Sequence, residues 1–180
     1  METFISILRG INVTGQRLVK MDALKQIYTD LGFHEVRTYV QSGNVIFMAE
    51  ETGSGKLEQR ISERIQQEFG YRVPVIVLNG KKLGRIIEKN PFTGDRGKDP
   101  KFMHVTFLVS PPVSPDYGSI ESKKSGGEEI RFTDEAVYLY CPNGYGKSKL
   151  SNNLLESRLG VTATTRNWKT TNQLMALANR

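Results

Sequence analysis

The order of the predicted secondary-structure elements is the feature of this sequence that most constrains its fold. Short runs rich in β-branched and aromatic residues alternate with segments whose apolar residues recur every three or four positions, the spacing of one helical face. In the clearest helix, Leu57, Ile61, Ile65 and Phe69 recur every four residues before Gly70. Residues 3–78 therefore read strand, helix, strand, strand, helix, strand. This βαββαβ order predicts an α/β plait, in which two helices cover one face of a four-stranded antiparallel sheet.

The second half of the sequence repeats this order, although the two halves share no clear residue-level identity. Its predicted elements are strands at 103–109, 129–132, 136–141 and 161–165, a short helix within 111–122 and a longer helix at 149–159. The predicted fold is thus α+β, with two ferredoxin-like subdomains and antiparallel sheets. The predicted division is an N-terminal plait at 1–79, a linker helix and loop at 80–101, and a C-terminal plait at 102–180 that ends in a terminal helix.

Composition favours a cytoplasmic protein with an anionic partner. The chain has a net charge of +6 and a pI near 9.4, which raises the expectation of a negatively charged ligand without identifying it. Apolar runs are far too short to span a membrane, and the first residues lack the basic and apolar regions of a signal peptide. We therefore expect no membrane partner; the oligomeric state is left open.

Residues that commonly perform catalysis or bind metals are few and scattered. Cys141 is the only cysteine, and its place at the end of an apolar alternation is typical of a small, partly buried side chain. His34 and His104 are far apart and are not grouped with carboxylates, so spacing assembles neither a metal site nor a catalytic triad. The sequence therefore indicates no metal, no cofactor and no identifiable catalytic residue.

A dense group of hydrogen-bonding side chains lies near the C-terminus, around the only tryptophan. Arg166, Asn167, Trp168 and Lys169 lie between a predicted strand and a predicted helix at 171–178, for which a capping-box pattern would make Thr170 the N-cap. Cations near a helix N-terminus attract anions, so the segment could bind a ligand. In the alternative interpretation it is a structural clasp, in which Trp168 plugs a small core and Arg166 pairs with a carboxylate.

A basic turn precedes the predicted helix at 149–159. Residues 141–148 resemble a phosphate-binding P-loop but lack its first glycine. Lys147 and Lys149 would still place two ammonium groups and free backbone donors at a helix start capped by Ser148, with Asn143 close by. The alternative is an exposed basic turn with no ligand.

Polar groups also gather in the first half, at a strand exit and in a hairpin turn. Arg9, Asn12 and Lys20 follow the first strand, and Gln41 and Asn44 lie in the predicted turn. Amide side chains occur in turns for local reasons as well, so each is weak evidence alone.

The helix-free sheet faces would suit RNA, because RNA-recognition modules of this topology stack bases on sheet aromatics. Their expected sequence signature is absent from this chain. The alternative is that the two faces pack on each other and bury Tyr39 and Tyr138.

The motifs gathered along the chain resemble those of the bacterial domain of unknown function 1697 family. The matching segments are residues 8–13, 20–21, 37–39, 41–45, 90–92, 142–144, 147–150 and 164–168. One departure is Thr14, which stands beside Gly15 where a Gly-Gly pair is common in the family. The resemblance implies two α/β-plait subdomains and implies no activity.

Two classes of function follow from these residues. The first is binding of a phosphate-bearing ligand, a nucleotide or single-stranded nucleic acid, by a basic, amide-rich face. Its candidate residues are Arg9, Asn12, Lys20, Gln41, Asn44, Asn143, Lys147, Lys149, Arg166, Asn167, Trp168 and Lys169. The second is an enzyme acting on a small anionic substrate, in which Arg166 or Lys20 stabilises developing charge. A structural or protein-interaction role is the third possibility.

Overall fold

The computed structural model describes residues 1–50 and 53–180, and it divides the chain into two compact units. The first unit comprises residues 1–84 and 174–180, and the second comprises residues 85–173. The segment 80–101, predicted as a linker, is therefore shared, since residues 80–84 belong to the first unit and 85–101 to the second.

The first unit is an α/β plait. Its elements are β1 (Glu2–Leu8), α1 (Met21–Asp30), β2 (His34–Tyr39), β3 (Asn44–Ala49), α2 (Ser54–Phe69) and β4 (Val75–Asn79), followed by α3 (Gly80–Glu88), which continues into the second unit. The strands form one antiparallel sheet in the order β2-β3-β1-β4. The predicted α/β plait is thereby confirmed, because the two central strands, β1 and β3, are the first and third in sequence.

The second unit repeats this topology. Its elements are β5 (Met103–Leu108), α4 (Tyr117–Glu121), β6 (Glu129–Phe132), β7 (Ala136–Tyr140), α5 (Asn152–Leu159) and β8 (Ala163–Asn167), followed by α6 (Trp168–Ala178), which ends in the first unit. The antiparallel strand order is β6-β7-β5-β8.

Each plait has its own helix-covered core. In the first unit, Leu24 and Ile27 of α1 and Leu57 and Ile61 of α2 are buried in a cluster with the strand residue Phe47. In the second unit the equivalent cluster contains Ile120 of α4, Leu155 and Leu159 of α5, and Val137 and Leu139 of β7. Full burial of one such side chain stabilises the folded state by roughly 1.5–3 kcal/mol, so the helical stripes explain why these helices pack on the sheets.

Two predicted helix starts are wrong. α5 begins at Asn152 and not at residue 149, because Ser151 is its N-cap and accepts a hydrogen bond from the Leu154 amide at 3.2 Å. Ser148 instead closes a local turn by accepting from the Leu150 amide. α6 begins at Trp168 and not at residue 171, because the Asn167 side chain accepts from the Thr170 amide at 2.7 Å and caps the helix three residues earlier.

Within the described residues, none of the helices is both long enough and apolar enough to cross a bilayer.

Candidate functional site

Seven of the predicted site residues lie in the second unit, at one end of its sheet. β5 begins and β7 and β8 end at this edge, since Met103 pairs with Tyr140 and His104 pairs with Asn167. The loop after β7 returns over the edge, where the Tyr145 ring stacks on the His104 ring at a centroid distance of 4.7 Å. This stack brings the loop that carries Lys147 and Lys149 next to the strand end that carries Asn167.

A hydrogen-bond network fixes the position of Tyr145. Its side chain is bonded to Thr165, and Thr165 also bonds the Thr106 hydroxyl at 2.8 Å and the Asn152 amide oxygen at 3.2 Å. Burial raises the pKa of Tyr145, partly offset by its bond to Thr165, so the phenol is neutral at physiological pH. Sequence reasoning missed Tyr145 and His104 because they come from segments far apart in the chain.

Three lysines at this sheet end form no ion pair within the part of the chain that the structure describes. Lys147, Lys149 and Lys169 are all exposed, and none takes part in a salt bridge. Residues 136–180 contain a single carboxylate side chain, Glu156, and its oxygen accepts a hydrogen bond from the Ala163 amide at 2.8 Å. β6 begins at the same edge, where Glu129 pairs with Lys98 and Glu128 accepts a hydrogen bond from the Ser125 amide. None of these acids is therefore paired with the three lysines. We call Lys147, Lys149, Trp168 and Lys169 the lysine surface.

Trp168 is the first residue of α6 and is only partly buried. Its backbone carbonyl accepts from the Asn172 side chain, and no described aromatic ring stacks on the indole. A partly exposed indole beside cations is suited to stacking on a planar group.

Arg166 is held inside the second unit and is only 8% exposed. It donates to the Thr164 hydroxyl at 3.0 Å and to the Thr165 carbonyl at 2.9 Å. Desolvation lowers its pKa to about 10, which leaves it charged at neutral pH. These contacts favour a structural role for Arg166 over direct contact with a ligand, although they are made to a hydroxyl and a backbone carbonyl where the clasp interpretation expected a carboxylate.

Replacing Arg166 by alanine should lower the free energy of unfolding by about 2 kcal/mol or more, because the change leaves one buried and one partly buried acceptor without their donor and opens a cavity. Urea denaturation monitored by circular dichroism measures this loss. Lys169→Ala, at an exposed position in the same segment, is the control and should change stability little. Wild-type stability in Arg166→Ala together with lost ligand binding would contradict the clasp.

The predicted amide groups largely bond the protein's own backbone. Asn12 donates to the carbonyls of Val19 and Gln41 at 2.9 and 2.8 Å, and its oxygen accepts from the Val19 amide. Asn44 is buried and donates to the Tyr39 carbonyl at 3.0 Å. Asn143 donates to the Gly126 carbonyl, and Asn167 caps α6. These contacts do not support the expectation that all these amide side chains bind a ligand.

The remaining predicted residues lie in the first unit. Lys20 and Gln41 are exposed, and Arg9 is partly buried. They lie in or next to the loop whose Asn12 side chain donates a hydrogen bond to the Gln41 carbonyl, in the turn at 40–43. The predicted site residues therefore form two groups, one in each unit. Arg17, also exposed, belongs to the same loop and was not singled out from the sequence.

Cys141 is fully buried, where its sequence context predicted a partly buried side chain. Desolvation raises the pKa of its thiol to about 11, against a weaker opposing effect of its hydrogen bond to Ser148. The thiol is thus protonated at neutral pH and poorly suited to act as a nucleophile. Within the described part of the chain, no cluster of His, Cys, Asp and Glu is arranged to hold a metal ion.

The stability of the second unit should depend on pH through His104. Burial lowers the pKa of this imidazole below 6.5, although the Phe102 backbone raises it slightly. The unfolded chain then binds a proton before the folded chain does, so stability is lost as pH falls from about 6.5 through the lower folded pKa. His104→Gln should weaken this dependence. Urea midpoints measured between neutral and mildly acidic pH test it; identical slopes for both proteins would contradict it.

The chain matches a known family and resembles a solved structure. The model of a family described as protein of unknown function, DUF1697, matches residues 1–138. A solved structure of a conserved bacterial protein from Streptococcus pneumoniae is similar with a TM-score of 0.75 and 22% identity over 98% of both chains. No curated protein matches the sequence. At this identity, the structural likeness shows a shared fold alone.

Proposed function

We propose that this protein, which belongs to the DUF1697 family of proteins of unknown function, binds a phosphate-bearing ligand through the lysine surface of its second unit. The ligand class is a nucleotide or a single-stranded nucleic acid. The observation that carries the proposal is the set of three exposed lysines without ion pairs among the described residues, on a sequence segment, 136–180, whose single carboxylate side chain is engaged by a backbone amide.

Local charge supports a phosphate more than a neutral ligand. Lysines that lack a carboxylate partner retain their full attraction for an external anion, and phosphate oxygens accept hydrogen bonds from ammonium groups. Lys147 and Lys149 flank Ser148, whose hydroxyl already accepts from the Leu150 amide, so the turn is held in one shape. A fixed turn loses less conformational entropy on binding than a mobile one.

An aromatic group beside the phosphate contacts favours a nucleotide or nucleic acid over a simple phosphate ester. The Trp168 side chain is partly buried at the start of α6, with Lys169 next to it. Stacking of a base on an aromatic ring contributes about 1–3 kcal/mol and is tolerant of base identity. For the alternative of an enzyme, Arg166, one of the two groups expected to stabilise developing charge, is buried, and the other, Lys20, is exposed in the first unit.

A thermal-shift screen tests this proposal, since a ligand that binds only the folded state raises the melting temperature. The compounds are inorganic phosphate, a nucleoside triphosphate and oligonucleotides of deoxythymidine and uridine, each at low and high salt. We expect a shift with nucleotides or oligonucleotides that shrinks at high salt, and a much smaller shift with phosphate alone. A shift confined to oligonucleotides identifies nucleic acid as the ligand, and the absence of any shift would contradict the proposal.

A further inference from the structure

The first unit carries a small hairpin that projects into solvent. The Asn12 amide donates to the Arg17 carbonyl at 3.2 Å and the Gln16 amide donates to the Val13 carbonyl at 3.0 Å, which closes a tight turn. All residues from 13 to 18 are exposed. We call residues 12–18 the exposed hairpin. Because consecutive residues are all exposed, the tip of the hairpin is convex and does not form a groove.

Aliphatic side chains are concentrated at this tip. Val13 is 55% exposed and Leu18 is 69% exposed, and Val40, in the adjoining turn, is 45% exposed. The turn adjoins the hairpin because the Asn12 side chain donates to the Gln41 carbonyl. Three of the six large exposed hydrophobic residues in the described chain therefore occur here. Clustered exposed apolar side chains mark interaction surfaces.

The backbone holds this surface in place despite strain. Asn12, Thr14 and Arg17 have φ angles of 54°, 48° and 48°, and Val40 has a φ of 52°. The left-handed region is unfavourable for a β-branched residue such as Val40, and strained residues persist only where their surroundings fix them. Here the three hydrogen bonds of the Asn12 side chain supply that constraint.

Cations accompany the aliphatic side chains. Arg17 and Lys20 are exposed and form no ion pair with any residue that the structure describes. Residues 3–21 contain no Asp or Glu, and the nearest acid that follows along the chain is Asp22, in the first turn of α1. The Tyr71 hydroxyl donates to the Leu18 carbonyl, which places the exposed Arg72 near the hairpin as well.

The sequence-based expectation of no membrane partner rests on the lack of a segment that could span a bilayer, and docking on the surface of a bilayer needs no such segment. We propose that the exposed hairpin docks the protein on an anionic lipid bilayer, with Val13, Leu18 and Val40 entering the interface and Arg17 and Lys20 contacting headgroup phosphates. Aliphatic side chains that project beside cations match the two parts of such a surface, its acyl boundary and its negative charge. Nucleic acid fits less well because the tip has no exposed aromatic ring for stacking, and a helical protein partner fits less well because the tip offers no groove. This inference concerns a different unit from the lysine surface and does not rest on it.

Co-sedimentation with vesicles tests the inference directly. The full chain is mixed with vesicles of phosphatidylcholine alone or of phosphatidylcholine with phosphatidylglycerol. We expect binding to the anionic vesicles only. Leu18→Ser should weaken it about tenfold through lost apolar transfer, and Arg17→Gln about fivefold at low salt. The matched controls are Val113→Ser and Arg96→Gln, at exposed positions in the second unit, and both should bind as the wild type does.

Other outcomes overturn the inference. Failure of the wild-type protein to bind anionic vesicles excludes bilayer docking, and equal losses in Leu18→Ser and Val113→Ser exclude the hairpin as the docking element. Vesicle binding that is lost in Lys147→Gln/Lys149→Gln but retained in Leu18→Ser would assign it to the lysine surface. Melting curves of each variant confirm that it is folded.

Discussion

Gly43→Ala should lower the free energy of unfolding by about 3 kcal/mol or more, the largest effect expected of a single-methyl change in the first unit. Gly43 has a φ of +82°, where a side chain is strained. A Cβ at this position would lie 2.5 Å from Ile11 Cδ1 and 2.9 Å from Leu8 Cβ. Both neighbours are buried, so neither can move away without disturbing the core.

Gly15→Ala separates the two causes of this destabilisation. Gly15 has a φ of +75°, but nothing lies within 4 Å of the position that an alanine Cβ would occupy, so only backbone strain applies. We expect a loss of about 1 kcal/mol for this control. Urea denaturation of both variants gives the comparison. Equal losses in the two variants would show that crowding around Gly43 does not contribute.

Removing two lysines of the lysine surface should weaken ligand binding strongly without unfolding the protein. In Lys147→Gln/Lys149→Gln we expect the dissociation constant for an oligonucleotide or nucleotide to rise at least about tenfold at low salt, because two charge-assisted contacts to phosphate are lost. Both side chains are exposed, so the melting temperature without ligand should change little. Fluorescence anisotropy with a labelled ligand provides the dissociation constants.

Lys25→Gln/Lys81→Gln is the charge-matched control for this double variant. Lys25 and Lys81 are exposed and lie in the first unit, so the control removes the same net charge from a different place. Comparable weakening in both double variants would show that overall charge, and not the lysine surface, drives binding.

The architecture of both units could be predicted from the sequence because each helix that covers a sheet carries apolar residues along one face. Leu57, Ile61 and Ile65 of α2 are all fully buried, as their spacing requires. In a strand with one buried face, apolar and polar residues alternate; in a strand with two buried faces, apolar residues run without a break. Both patterns differ from the helical spacing, so strands and helices can be told apart in order along the sequence. With two βαββαβ segments, few topologies satisfy short connections and antiparallel pairing.

Helix starts were less predictable because several residues near each start can serve as caps. Ser148 and Ser151 have equal intrinsic preference for the N-cap, and tertiary contacts decide between them. Leu150 adds to the ambiguity. It is buried and continues the apolar spacing of the helix, but it lies before the first turn of α5. The same ambiguity holds for Asn167 and Thr170 at the start of α6.

The exposure of the lysines in the candidate site could be predicted from the sequence, but the hydrogen-bond partners of its amide side chains could not. Exposed lysines follow from sequence alone, because an ammonium group without an acidic neighbour is seldom buried. Whether Asn12 faces a ligand or the backbone depends on the loop conformation. Its φ of 54° indicates a turn residue whose side chain bonds locally. Arg166 shows the same limit, since its burial depends on β8 extending two residues beyond the predicted strand end.

The most direct test of the proposed function is the salt dependence of binding. Labelled oligothymidine and a labelled nucleoside triphosphate are titrated with the protein over a series of salt concentrations. If three lysines contact phosphates of a single strand, the logarithm of the association constant should fall with the logarithm of salt concentration with a slope of about −2. The slope should become shallower in Lys147→Gln/Lys149→Gln. No binding of either ligand, or affinity that is unchanged by salt and by the double substitution, would contradict the proposal.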